Sequence, residues 1–162
     1  MAAANLRKAS IRVACKIGLP GSAQPLCELE AQLFDPSGQP VFAEPLRADN
    51  SKRPWHKYFE LTQDEAIELV GEVKSPKLWS AETPHLYRLV VSLRTPNDAQ
   101  HVGYNVGFRH VQVHERQLLV NGKAVMIKGV NRHDHSDTSG KAVSRELMEL
   151  DIKTMKQFNI NA

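Results

Sequence analysis

The 162-residue chain has little cysteine, with two residues, and few aromatics, at 6%. It also has no apolar run near the roughly 20 residues that cross a bilayer. A disulfide-dense scaffold and a helical membrane span are both excluded. The opening Met1-Ala2-Ala3-Ala4-Asn5 contains no apolar stretch of signal-peptide length, so a cytoplasmic location and no membrane partner are expected. Lys and Arg number 21 against 18 Asp and Glu, a net charge of +3. The basic residues are dispersed and not interleaved with aromatics, which argues against nucleic acid as a partner. There is no Gly-rich phosphate loop, no CxxC pair and no Gly-x-Ser-x-Gly elbow, so the commonest nucleotide, thiol-metal and acyl-transfer motifs are missing. Cys15 and Cys27 fall in the apolar phase of expected strands and read as small buried thiols.

Period-two alternation dominates the first two-thirds. Ile11, Val13, Cys15 and Ile17 alternate with Arg12, Ala14 and Lys16, and Cys27, Leu29, Ala31 and Leu33 with Glu28, Glu30 and Gln32. Such a pattern predicts strands with one buried face. Asp35-Pro36-Ser37-Gly38 predicts a turn, Pro presetting φ and Gly accepting a positive φ, with a return strand starting at Val41 and Phe42. Further strands are expected over residues 56–61 and 67–73, with a Thr62-Gln63-Asp64 turn between them. Tyr87, Leu89, Val91 and Leu93 give the clearest alternation, and Pro96-Asn97-Asp98 turns the chain into a strand over 102–108. Short strands at this spacing predict an immunoglobulin-like β-sandwich over residues 1–114. Trp55, Trp79, His85 and Tyr87 read as parts of that sandwich.

A different style begins near Arg109. Leu118-Leu119-Val120 and Ala124-Val125 flank Asn121-Gly122, a hairpin signal for a turn needing positive φ at both central residues. The nearly continuous apolar run 124–130 predicts a strand buried on both faces. After a polar loop at 131–141 comes a helix over about 144–159. Ser144 is its expected N-cap, Glu146 a favourable first-turn acid, Met148, Ile152, Met155 and Phe158 its apolar side, and Glu149 with Lys153 an i,i+4 pair. Residues 115–162 thus hold one strand, one loop and one helix: the first βα unit of something larger, unable to cover its own strand.

The densest polar segment is Gly129-Val130-Asn131-Arg132-His133-Asp134-His135-Ser136-Asp137, at the C-terminal end of that strand. In barrel enzymes this end carries the active site. On spacing alone three readings stay open: a metal site at His133, His135 and Asp137, a site that hydrogen-bonds a polar substrate, or a solvated loop.

The residues Ser75-Pro76-Lys77-Leu78-Trp79-Ser80-Ala81-Glu82-Thr83-Pro84-His85-Leu86-Tyr87, then Val106-Gly107-Phe108-Arg109, resemble the sandwich domain of the bacterial-type β-galactosidases of glycoside hydrolase family 2. Leu118 to Lys123, Ile127 to His133, and Asp151-Ile152 with Met155 to Asn159 resemble the lead-in, first strand and first helix of that family's (β/α)8 TIM barrel. The resemblance implies a mainly β chain, a sandwich followed by the start of a truncated barrel, belonging to a retaining enzyme that hydrolyses terminal β-D-galactosides. It implies that His133 contacts the sugar hydroxyls and stabilises the transition state. Asn131 and Arg132 would support it, Asn131 holding the loop and Arg132 pairing with an acidic group, while Asp134 and His135 stand further back. Both catalytic glutamates would lie beyond Ala162, so the segment alone is expected to be inactive; Glu146 and Glu149 sit on the outer helix. No cofactor is expected within these residues, while a Mg2+ and a monovalent cation are allowed in a parent enzyme. Expected partners are a β-galactoside, the remainder of the barrel and, in the parent, a homo-oligomer. The alternatives are β-glucuronidase or β-mannosidase specificity, or a non-catalytic carbohydrate-binding or interaction module.

Overall fold

A computed structural model describes residues 7–16, 26–51 and 66–162. The chain divides into two compact units, Met1–His110 and Val111–Ala162. The expected strand at 56–61, the turn after it, Ile17 and Trp55 lie outside the described residues.

In the first unit, β1 (Lys8–Cys15) pairs antiparallel with β4 (Ile67–Lys74). The second sheet has the order β3-β2-β5-β6, from β3 (Leu46–Asp49), β2 (Glu28–Phe34), β5 (Tyr87–Arg94) and β6 (Ala99–Val106), all antiparallel. The alternation read from sequence is what joins the two sheets. Leu29, Ala31 and Leu33 of β2 are fully buried, and Ile11, Ile67, Leu69 and Val73 come from the other sheet into the same core. Their outward neighbours Arg12, Glu68, Lys8 and Glu72 pair on the surface. Register is thereby fixed, since a slip of one residue would turn every buried side chain to solvent. Tyr87 and Phe108 meet edge to face at 5.0 Å, and the Lys77 N–H donates to the Tyr87 hydroxyl at 2.9 Å.

Two expectations need correction here. The return strand does not begin at Val41. Residues 41–44 bend, and the strand starts at Leu46. The cause is the Gln32 side chain, whose amide donates to the Phe42 carbonyl at 3.0 Å and whose oxygen accepts from the Phe42 N–H at 3.3 Å. Phe42 is thereby turned into the core against Gly71, where an added Cβ would lie 2.6 Å from its Cζ. The strand expected over 102–108 runs instead from Ala99 to Val106, and Phe108 forms a lone parallel bridge to Leu78. The Asp35 turn forms as read, with Gly38 at φ +84°. Asp35 Oδ1 accepts from Ser37 Oγ, Ser37 N and Gln39 N.

In the second unit, β7 (Val111–His114), β8 (Gln117–Val120) and β9 (Lys123–Ala124) form a meander. Asn121 and Gly122 take φ +52° and +78°, as the hairpin demands. Glu115 and Arg116 make a second turn of the same hand without glycine, at φ +48° and +64°. Helix α1 (Arg145–Gln157) starts where read, its Leu147 N–H donating to Ser144 Oγ. It ends in a left-handed cap: Asn159 has φ +59°, its N–H donates to Lys156 O, and the Ile160 N–H donates to Met155 O. This double bond satisfies carbonyls that the last turn would leave open.

The strand expected at 124–130 is neither a full strand nor buried. The segment joins the meander only at Lys123–Ala124 and through the Val125 N–H, which donates to Leu118 O at 2.8 Å, and Met126 and Ile127 are 75% and 63% exposed. The apolar side of α1 is likewise open, with Phe158 at 75% exposure and no helix residue buried. One helix and one extended segment present more apolar surface than they can cover between them.

Two outcomes follow. Gly71→Ala overpacks the Phe42 contact and lowers the unfolding free energy by about 1–3 kcal/mol. Phe42→Leu in the same chain recovers part of that loss; strictly additive losses in urea titrations would refute the contact as the cause. The hydrogen bonds from Ser37, then Gln39, hold the Asp35 carboxyl below its usual range. Its stabilising contribution is therefore complete above the ordinary carboxylate pKa and fades as pH falls through the lowered value. An Asp35 carboxyl that titrates by NMR at or above the ordinary value would refute the assignment.

Candidate active site

The site is built on the tip of segment 126–130 and on the loop that leaves it. Met126, Lys128 and Val130 present polar backbone groups along one edge, and residues 160–162 lie beside it. The Asn161 N–H donates to Lys128 O at 2.9 Å, and the Val130 N–H to Ala162 O at 3.0 Å. The two segments run in the same direction, and the loop and α1 cross between them. Gly129 sits at the close approach, where a Cβ would lie 3.3 Å from Ala162 O.

Beyond Val130 come Asn131, Arg132 and His133. Arg132 is the most constrained of the three. Its Nε and Nη2 reach Asp151 Oδ2 at 2.9 and 2.8 Å, and its Nη1 reaches Asp134 Oδ1 at 2.5 Å. Hydrogen bonds to Asp134 and then Asp151 push the guanidinium pKa further up, so it is a permanent cation between two carboxylates. Since Asp151 lies in α1, this contact ties the loop's first residues to the helix. Asn131, His133 and His135 are exposed. His133 therefore has a ring open to a ligand next to a fixed backbone.

The rest of the loop closes on itself. Ser136 is buried, bridges to Gly140 through two backbone bonds of 2.8 and 3.0 Å, and accepts from Thr138 N and Ser139 N through Oγ. Among the described residues no group of three or more His, Cys, Asp or Glu side chains could hold a metal ion. The alternation of His133, His135 and Asp137 does not converge. Sequence reasoning missed Asp151 as a partner and Asn161 as an anchor. An acid on α1 following a loop arginine was the one available signal for the first.

In the first unit, Arg109 lies over the Trp79 ring at 5.0 Å, and the Trp79 N–H donates to Phe108 O at 2.8 Å. Trp79 is half-buried and so serves the sandwich end. His101 Nδ1 lies 2.8 Å from Ser92 Oγ. No helix among the described residues is long and apolar enough to cross a membrane.

An antiparallel sandwich followed by a strand tip, a polar loop and a crossing helix defines a β-sandwich chain that runs into the start of a (β/α)8 TIM barrel. Residues 2–109 match the family Glycosyl hydrolases family 2, and residues 111–162 its TIM barrel domain. The chain belongs to glycoside hydrolase family 2. It is 46% identical over 142 residues to a β-galactosidase of Alteromonas mediterranea, covering 86% of this chain and 13% of that protein. It is 41% identical over 159 residues to one from Pseudoalteromonas haloplanktis, covering 96% and 14%. The chain thus spans about a seventh of the curated relatives it matches. Among solved structures it resembles Parabacteroides merdae β-glucuronidase (TM-score 0.74, 21% identity, 97% of this chain and 18% of that one), a likeness of fold. It also resembles apo β-glucuronidase 3 of Bacteroides uniformis (TM-score 0.69, 26% identity, 96% and 17%).

Replacing Asp151 by Asn removes one of the two charges on Arg132. The Arg132 Nε–H is then expected to exchange with solvent markedly faster in NMR spectra of the chain, with the α1 amides unchanged. Equal protection in the variant would show that Asp151 does not hold the guanidinium.

Proposed function

We propose that the chain is a segment of a retaining glycosidase that hydrolyses terminal β-D-galactosides. The carrying observation is the strand tip Asn131-Arg132-His133, with Arg132 clamped between Asp134 and Asp151 and His133 left open. His133 donates to, or accepts from, a sugar hydroxyl, and this bond tightens as charge develops at the anomeric carbon. Asn131 holds the loop, and Arg132 fixes its direction. The two carboxylates that a retaining mechanism places about 5 Å apart are supplied by later barrel strands. The segment alone is then inactive, and its partners are the rest of the barrel and a β-galactoside, in a cytoplasmic homo-oligomer. The identity to β-galactosidases supports this substrate. A second reading, β-glucuronide specificity, draws on the likeness to Bacteroides uniformis β-glucuronidase 3 at 26% identity.

The full-length protein is expected to cleave an aryl β-galactoside with retention at the anomeric carbon, followed by NMR of the released sugar. In the same protein His133→Ala lowers kcat by about 10²-fold, the scale for losing one bond that tightens in the transition state. Aryl β-glucuronide turnover in place of galactoside turnover would replace the first reading by the second. Turnover by the 162 residues alone would overturn the division of labour.

A further inference from the structure

We infer that Asn161 is a positioning residue for the catalytic strand tip. The inference rests on the glycosidase reading for its activity arm and on geometry for the rest. Three bonds meet at this residue. Its side-chain Nδ2 donates to Met126 O at 2.9 Å, its Oδ1 accepts from Lys128 N at 2.7 Å, and its main-chain N–H donates to Lys128 O at 2.9 Å.

A backbone neighbour would bind this edge with one group per site. Asn161 adds an amide whose donor and acceptor match a C=O and an N–H two residues apart on the same edge. Asparagine has both functions in one planar group of the right length. Asp would lose the donor and set a carboxylate against the Met126 carbonyl; Leu would lose both bonds. The two backbone bonds, at Lys128 O and at the Val130 N–H, leave the stretch before Lys128 free to twist, since hydrogen-bond register along an otherwise exposed segment is weakly specified. The amide closes the positions on either side of Ile127, so the direction in which the chain leaves Val130 is set there. From Lys128 the chain needs only five residues to reach His133. The Arg132–Asp151 clamp holds the far side of the same span. Asn161 follows the left-handed cap at Asn159 by two residues, so the helix end delivers it to this place.

Asn161 acts through His133 and touches no substrate. The test uses the full-length protein that carries this segment, with Asn161→Ala, Asn161→Asp, His133→Ala and the double variant Asn161→Ala/His133→Ala. Hydrogen exchange is read at the Lys128 amide, and kcat and KM on the aryl β-galactoside. Asn161→Ala is expected to speed exchange at Lys128 by tenfold or more. It should lower kcat by at least tenfold with a smaller change in KM. The double variant should fall little below His133→Ala alone, because the anchor matters only through that imidazole. Asn161→Asp keeps the acceptor for Lys128 N and should retain protection there while losing part of kcat; if the alanine variant fails to fold, it carries the test. Ser144→Ala, which weakens the helix cap, serves as the structural control and should lower stability without moving kcat. Fully multiplicative losses in the double variant, or unchanged exchange at Lys128, would overturn the inference. Wild-type protein inactive on both galactosides and glucuronides would overturn the glycosidase reading, and the exchange arm would still decide the anchoring.

Discussion

Two chain segments running in the same direction cannot be joined by a tight turn; they need a crossover of a dozen or more residues. The pairing of 126–130 with 160–162 therefore dictates what lies between: a loop that leaves one end and a helix that returns to the other. The loop's position follows from that requirement. Arg132 reaches Asp151 because the helix must pass alongside, and Asn161 meets Met126 and Lys128 because the helix must end there. The left-handed cap at Asn159 makes the return sharp enough. The edge formed by Ile127 and Gly129 has no strand beside it among the described residues. The same is true of the apolar surface on α1, which explains its exposure.

Much of the sandwich was legible because its information is local. Alternation in β2, β4 and β5 is a direct record of which side chains face inward. The reading failed where a side chain competed with the backbone ladder. Gln32 captures both polar groups of Phe42, so an apolar pair that looks like a strand start becomes a bend. Nothing in the sequence announced the left-handed turn at Glu115-Arg116, which has no glycine or asparagine. The apolar run at 124–130 was legible as an extended segment, but not as one that is exposed and pairs with the meander only at its start. Burial depends on neighbours, and composition says nothing of whether they are present.

For the site, the polar tip Asn131-Arg132-His133 stood out by its composition and place after an apolar run. Its supports did not. Asp151 lies 19 residues from Arg132, and Asn161 lies 33 and 35 residues from the groups it binds. No periodicity connects such positions; only the path of the crossover does. An acid on a helix and an asparagine after one each have ordinary local explanations, so their roles emerge from geometry alone.

The packing of the first unit also gives the molecule a chemical clock. Cys27 has no accessible surface and its N–H donates to Asn50 Oδ1 at 2.8 Å, while burial pushes both thiol pKa values up. Cys15, at the end of β1, is only half-buried. A reagent must reach the sulfur to attack its thiolate, so Cys15 should react from the folded chain and Cys27 only when the sheet parts. The ratio of the two labels after a timed pulse would then count openings of the sandwich, with no probe added to the protein.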